Sequence, residues 1–237
     1  EWSPAGVLHF VSDRSGWWNL YRWRAGQIEA LCPMPAEFGQ PAWQFGVSNY
    51  GFAENGRILC AFSQNGLGHV GLLDPDTTRL ETIDGPYSVF ASVRVGGRRA
   101  VMIAGSPSAP ASVVALDLDT LTWATISPAG ASEIDAGYFS VPRAIAFPTT
   151  GGEVSHALYY PPANKDFAAP EGDLPPLIVR SHGGPTSAAN AAFSMGIQYF
   201  TSRGFAFVDV NYGGSSGYGR AYRERLKGNW GVVDVDD

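Results

Sequence analysis

Four consecutive residues, His182-Gly183-Gly184-Pro185, follow a strand-like apolar run, Leu177-Ile178-Val179-Arg180-Ser181. Glycine lets a chain approach a ligand closely, and a helix read from near Ala188 sets the positive end of its dipole behind the loop. Backbone N–H groups arranged this way hold an oxygen that turns negative when a carbonyl is attacked. The chemistry they suit is acyl transfer, with Gly183 and Gly184 as candidate donors. A second loop, Gly213-Gly214-Ser215-Ser216-Gly217, satisfies the spacing G-x-S-x-G after another strand-like run. It offers a serine on a sharp turn. A serine needs a base to act as nucleophile, and no histidine follows Ser215 in the sequence. Hydrolases that use such a turn carry the base after the serine in chain order. Ser215 is therefore not read as a nucleophile, and His182 is read as a residue that orients its loop.

A carboxylate with a different task is Glu37, in Glu37-Phe38-Gly39, followed by Pro41, Trp43 and Phe45. Facing a cavity, it would pair with a substrate's α-ammonium group through a charge-assisted hydrogen bond. On a solvated loop it would have no such role. The aromatic sets Trp17, Trp18 and Trp43, Phe45 are read as packing. His9, His69 and His156 lack ligand spacing, so no metal is expected, and nothing points to a cofactor. Cys32 and Cys60 form neither a disulfide framework nor a metal pattern and read as buried free thiols. Asp234, Asp236 and Asp237 stand where the dipole of a starting helix favours acids.

The 237 residues, 45% of them hydrophobic, suffice for one large core or two modest ones. Net charge is −6 and the 16 basic residues are scattered, which argues against nucleic acid and against an anionic membrane as partners. No apolar run reaches the length of a transmembrane helix. Glu1-Trp2-Ser3-Pro4 does not start a signal peptide. With the unpaired cysteines this gives a cytoplasmic expectation, while assembly into a homo-oligomer is left open.

The elements that must carry these residues fall into two grammars. Up to about residue 127, strand, polar turn and strand recur. Leu20-Tyr21-Arg22-Trp23 leads to Ile28-Glu29-Ala30-Leu31, Leu72-Leu73-Asp74 to Leu80-Glu81-Thr82-Ile83, and Ala115-Leu116-Asp117 to Trp123-Ala124-Thr125-Ile126. The unit endings Leu31, Ile83 and Ile126 are 52 and 43 residues apart, the spacing of four-stranded propeller blades. Asn65-Gly66 and Gly96-Gly97 are hairpin turns in this reading. Three blades fall short of a closed propeller, so the chain reads as a fragment. From about 135–138 the pattern changes. Segments 141–147 and 153–160 form a hairpin around Thr149-Thr150-Gly151-Gly152, and a loop rich in Pro, Ala and acids spans 161–176. Then come strand, glycine loop, helix and strand, with Phe193, Ile197 and Phe200 on one helix face, Gly204 as its stop, and a strand at 205–210. Such alternation predicts a mainly parallel sheet with helices on its faces, entered through an antiparallel hairpin.

Taken in order, the segment from Phe10 through Ser12-Asp13-Arg14-Ser15-Gly16-Trp17-Trp18 to Tyr21, then His182-Gly183-Gly184-Pro185, then Asn211-Tyr212-Gly213-Gly214-Ser215-Ser216-Gly217-Tyr218-Gly219, resemble the prolyl oligopeptidase family of serine peptidases. Its acylaminoacyl-peptidase and dipeptidyl-aminopeptidase-like branch is the nearest in pattern. The resemblance implies a β-propeller, partial here with about three blades at 1–136, followed by the N-terminal portion of an α/β-hydrolase domain at 137–237. It implies a serine-type peptidase acting on short peptides, whose Ser, Asp and His triad is not in this chain, so that the chain alone is inactive. It places an oxyanion-hole N–H at Gly184 and gives Tyr218 a hydroxyl for the same hole in some relatives. At Gly213 the sequence departs from relatives that carry Arg. An esterase or amidase on the same scaffold, or a non-catalytic binding protein, are the alternatives.

Overall fold

The structure, a computed structural model, describes residues 1–41, 43, 45–130, 134–184 and 186–237. Three antiparallel meanders come first. The first holds β1 (Leu8–Ser12), β2 (Asn19–Arg24) and β3 (Gln27–Ala30). The second holds β4 (Tyr50–Phe52), β5 (Ile58–Gln64), β6 (Leu67–Asp74) and β7 (Arg79–Thr82). The third holds β8 (Val89–Gly96), β9 (Arg99–Ser106), β10 (Ala109–Asp117) and β11 (Trp123–Ser127).

The repeated Leu-Asp endings have a local cause. Asp74 Oδ1 accepts from the N–H groups of Asp76 and Thr77, and Asp117 Oδ1 accepts from those of Asp119 and Thr120. The same side-chain turn thus reverses the chain between the last two strands of both sheets. Asn65-Gly66 joins β5 to β6 with φ of 52° and 78°, the two left-handed residues that a tight hairpin requires. Between β8 and β9 the turn is Gly97-Arg98, one residue later than read from sequence, because Gly96 still pairs with Arg99.

Alternation of side chains along the strands lets the second sheet serve two cores. Ile58 and Leu73 join Leu20, Leu31 and Phe38 on one face. Leu59 and Leu72 join Met102, Val114 and Leu116 on the other. The three sheets therefore pack face to face in chain order.

The fourth sheet contains β12 (Arg143–Pro148), β13 (Val154–Tyr160), β14 (Leu177–Ser181) and β15 (Ala206–Asn211), in the order β12-β13-β15-β14. The hairpin expected around residues 149–152 is present as β12 and β13. A mainly parallel sheet is not what these strands make: only β14 and β15 run parallel, because the hairpin supplies half the strands and β13 pairs antiparallel with β15.

Helix α1 (Met195–Thr201) covers this sheet, with Ile197 buried against Leu158, Tyr160 and Phe207. Its start corrects the expectation of a helix from near Ala188. Ser194 caps it by accepting from the Ile197 N–H, and residues 187–194 are not helical. The buried Asn211 side chain holds the intervening strand-like loop instead, accepting from Ala189 N–H at 2.7 Å and donating to Ala189 O at 3.3 Å. Two short helices, α2 (Gly219–Glu224) and α3 (Val233–Asp236), complete the chain, and no helix is long and apolar enough to cross a membrane among the described residues.

Candidate active site

The glycine loop leaves β14 at Ser181 and is gripped from the end of β15. Ser215 Oγ lies 2.7 Å from His182 Nε2, and the Tyr212 ring stacks on the imidazole at 4.6 Å between centroids. Burial holds the His182 pKa below its ordinary value, so the ring is neutral at neutral pH. With its proton on Nδ1, which faces Gly183 O, Nε2 is free to accept from the Ser215 hydroxyl. His182 is thus held in the loop by Ser215 and Tyr212. Ser215 is fully buried, with no exposed surface to meet a substrate.

Around Gly183 and Gly184 the carbonyl groups are engaged and the amides are not. Tyr212 Oη lies 3.2 Å from His182 O and 3.0 Å from Gly184 O. Among the described residues no hydrogen bond takes the N–H of Gly183 or Gly184, and both glycines are exposed. Gly184 has φ of +76°, a conformation that strains residues with a Cβ. Pro185, the last residue of the motif, lies outside the described residues. The helix dipole expected behind the loop is absent from that place, since α1 begins at Met195. Among the described residues the amides of Gly183 and Gly184 are left as donors.

A cavity of about 310 Å³ opens beside this loop, between the first three sheets and the segments that follow β14 and β15. Thr186 to Asn190, Ser216, Gly217 and Tyr218 form one side; Trp18, Glu37, Trp43, Phe62 and Phe90 belong to the other. Gly183 and Gly184 are not among its described lining residues and stand three and two residues before Thr186. Glu37 is the cavity's ionisable carboxylate. Its backbone bridges to Ser63, which pins it to β5. Its Oε2 accepts from Trp18 N–H at 2.6 Å and its Oε1 from Gly219 N–H at 3.0 Å. Burial raises its pKa above the usual glutamate value, against the opposing pull of those two amides and Arg223.

Tyr218 lines the cavity with its hydroxyl accepting from Asn211 Nδ2 at 3.0 Å. Its ring stacks on His156 at 4.1 Å, and burial pushes the phenol pKa up to about 12, so the group is a proton donor at any working pH. The hydroxyl also meets the hairpin turn of the second sheet. A Cβ at Gly66 would sit 2.6 Å from it, so this approach needs glycine.

Several residues that assemble the site carried no local signal. Arg223 of α2 pairs with Asp13 at 2.7 Å and lies 4.2 Å over the Trp18 ring, and Arg220 N–H donates to Gly16 O. Gln198, on the buried face of α1, donates to Pro107 O and Ser140 O. Trp43 and Phe45, read as packing, are instead 68% and 96% exposed, and Trp43 lines the cavity. Trp17 does pack, against Gly219. Where a side chain at Gly213 would begin, Arg225 and Val233 already fill the space, and Asp237 accepts from Gly213 N–H at 2.6 Å. Asp234 and Asp236 lie in the first turn of α3 as expected, whereas Asp237 is a buried partner of Arg225. Cys32 and Cys60 are buried and free, and no group of His, Cys, Asp or Glu suited to a metal occurs among the described residues.

Residues 191–237 match the sequence pattern of the prolyl oligopeptidase family. A solved puromycin hydrolase is 43% identical, with a TM-score of 0.92 over 100% of this chain and 36% of its own. A puromycin-hydrolyzing peptidase of Mycobacterium tuberculosis is 41% identical, with a TM-score of 0.91 over 97% of this chain and 36% of its own. The acylamino-acid-releasing enzyme of Arabidopsis thaliana is 41% identical over 66 residues, which are 28% of this chain and 9% of the plant enzyme. The resemblance drawn from the three motifs is borne out. The chain spans about a third of the length of the solved relatives it matches.

Proposed function

We propose, from a chain that shares sequence and fold with prolyl oligopeptidase family enzymes, that it is part of a longer serine peptidase acting on short peptides. In this reading residues 1–136 are blades of a β-propeller and residues 137–237 open an α/β-hydrolase domain. The nucleophile, acid and base are supplied by sequence outside this chain, which alone is inactive. The observation that carries the reading is the pair of exposed amides at Gly183 and Gly184, which have no partner among the described residues, on a loop whose neighbouring carbonyls are tied down.

When a nucleophile attacks a peptide carbonyl, the oxygen gains charge, and a preformed donor in a site that excludes water stabilises it more than the ground state. Gly184 N–H is the principal donor, Gly183 gives the loop its freedom, and Tyr218 Oη–H is a further candidate. Removing one such donor typically costs about 10²–10³ in turnover. Glu37, charged and walled by aromatic rings, binds the α-ammonium group of a substrate with a free N-terminus. That contact makes the enzyme an exopeptidase with aminopeptidase character. The test compares matched peptide and ester substrates on the full-length protein. Cleavage of the peptide supports the peptidase reading; cleavage of the ester alone replaces it with an esterase on the same scaffold, and cleavage of neither leaves a binding protein.

A further inference from the structure

We infer that Tyr212 is a positioning residue for the glycine loop, acting through its hydroxyl, an inference that rests on the oxyanion reading of Gly183 and Gly184. The ring is buried and fixed by its stack on His182, which leaves the hydroxyl facing the loop backbone. One phenolic proton serves two carbonyl oxygens, at 3.2 Å on His182 and 3.0 Å on Gly184. Burial raises the phenol pKa, so the group stays a donor.

Peptide planarity turns this contact into an orientation. In a trans peptide the C=O and the following N–H point in opposite directions. With His182 O drawn toward Tyr212, the N–H of Gly183 must face away from it. Gly183 O lies 3.4 Å from His182 Nδ1, which directs the N–H of Gly184 away from the imidazole in the same manner. Two glycines in succession have no side chain to hold these planes. The Tyr212 hydroxyl and the His182 ring, itself held by Ser215, supply that hold from outside. Without the hydroxyl the planes at 182–184 are free to rotate, and the amide donors leave their aim while the cavity and Glu37 stay in place.

The variant Tyr212→Phe, made in the full-length protein, removes one oxygen and keeps the stacked ring. Three readouts apply. In a crystal structure of the variant the peptide planes at 182–184 should turn from their wild-type orientation, since the carbonyls of His182 and Gly184 lose their donor. The kcat for a peptide substrate should fall by about tenfold to a hundredfold, the scale of a misplaced catalytic group, with KM changed less than about twofold. A peptide aldehyde, which forms a tetrahedral adduct, should lose affinity in step with kcat, while a cleaved product keeps its own. Unchanged peptide planes, or a rise in KM at constant kcat, overturns the inference. Should the planes turn in a protein whose wild type cleaves no acyl substrate, the hold on the loop stands and the peptidase reading falls.

Discussion

Ser215 Oγ and His182 Nε2 lie 2.7 Å apart, a buried serine in contact with a half-buried histidine. A nucleophile must reach its substrate, and Ser215 has no exposed surface. The pair fastens the turn after β15 to the loop after β14. Ser215→Ala in the full-length protein should leave labelling by a fluorophosphonate probe intact. It should lower stability by about 1–3 kcal/mol, the range for leaving a buried polar group without its partner. Loss of labelling in a folded variant would make Ser215 the nucleophile.

Glu37 gives a prediction in pH. Burial raises its carboxyl pKa, so the charged form is lost as pH falls through a value above the usual 4.5. Ammonium recognition is present above that value and lost below it. For a free-amine peptide, kcat/KM should fall on the acid side with a midpoint above 4.5, while the N-acetylated counterpart lacks that limb. Glu37→Gln should abolish the limb and depress the free-amine substrate selectively, by the roughly 2–5 kcal/mol typical of a buried charge pair. Equal effects on both peptides would leave Glu37 as a brace between Trp18 and Gly219.

Arg223 joins the two halves of the site, paired with Asp13 and seated on Trp18. Its side chain is 12% exposed and that of Asp13 is 30% exposed, between the exposed pairs that contribute about 1 kcal/mol or less and the buried ones whose breakage costs about 3–5. Arg223→Met should cost roughly 1–3 kcal/mol in thermal unfolding and raise amide exchange in α2. Unaltered exchange there would show that Gly219 and Arg220 hold the helix through backbone contacts alone.

What the sequence made legible was local. Leu72-Leu73-Asp74 and Leu116-Asp117 announced strand endings because an aspartate closes the same turn in both sheets. Asn65-Gly66 announced a hairpin because both residues tolerate positive φ. Gly183 and Gly184 could be singled out as candidate donors by their position after a strand. The rest depended on distant partners. The segment after Ala188 looked helical until Asn211, remote in sequence, claimed the backbone of Ala189. The exposure of Trp43 and Phe45 depends on which way a loop leaves the sheet, which aromatic residue types do not encode. Asp13 and Arg223 stand at opposite ends of the chain, so neither carries a pattern that names the other.

The most direct test of the central claim is a crystal structure of the full-length protein trapped with a peptidyl phosphonate. The expected result is a covalent bond to a serine outside residues 1–237, with a phosphonyl oxygen within about 3 Å of the N–H of Gly184 and the peptide's amino terminus at Glu37. A phosphonyl oxygen held by other donors, with the amides of Gly183 and Gly184 facing solvent, would contradict it.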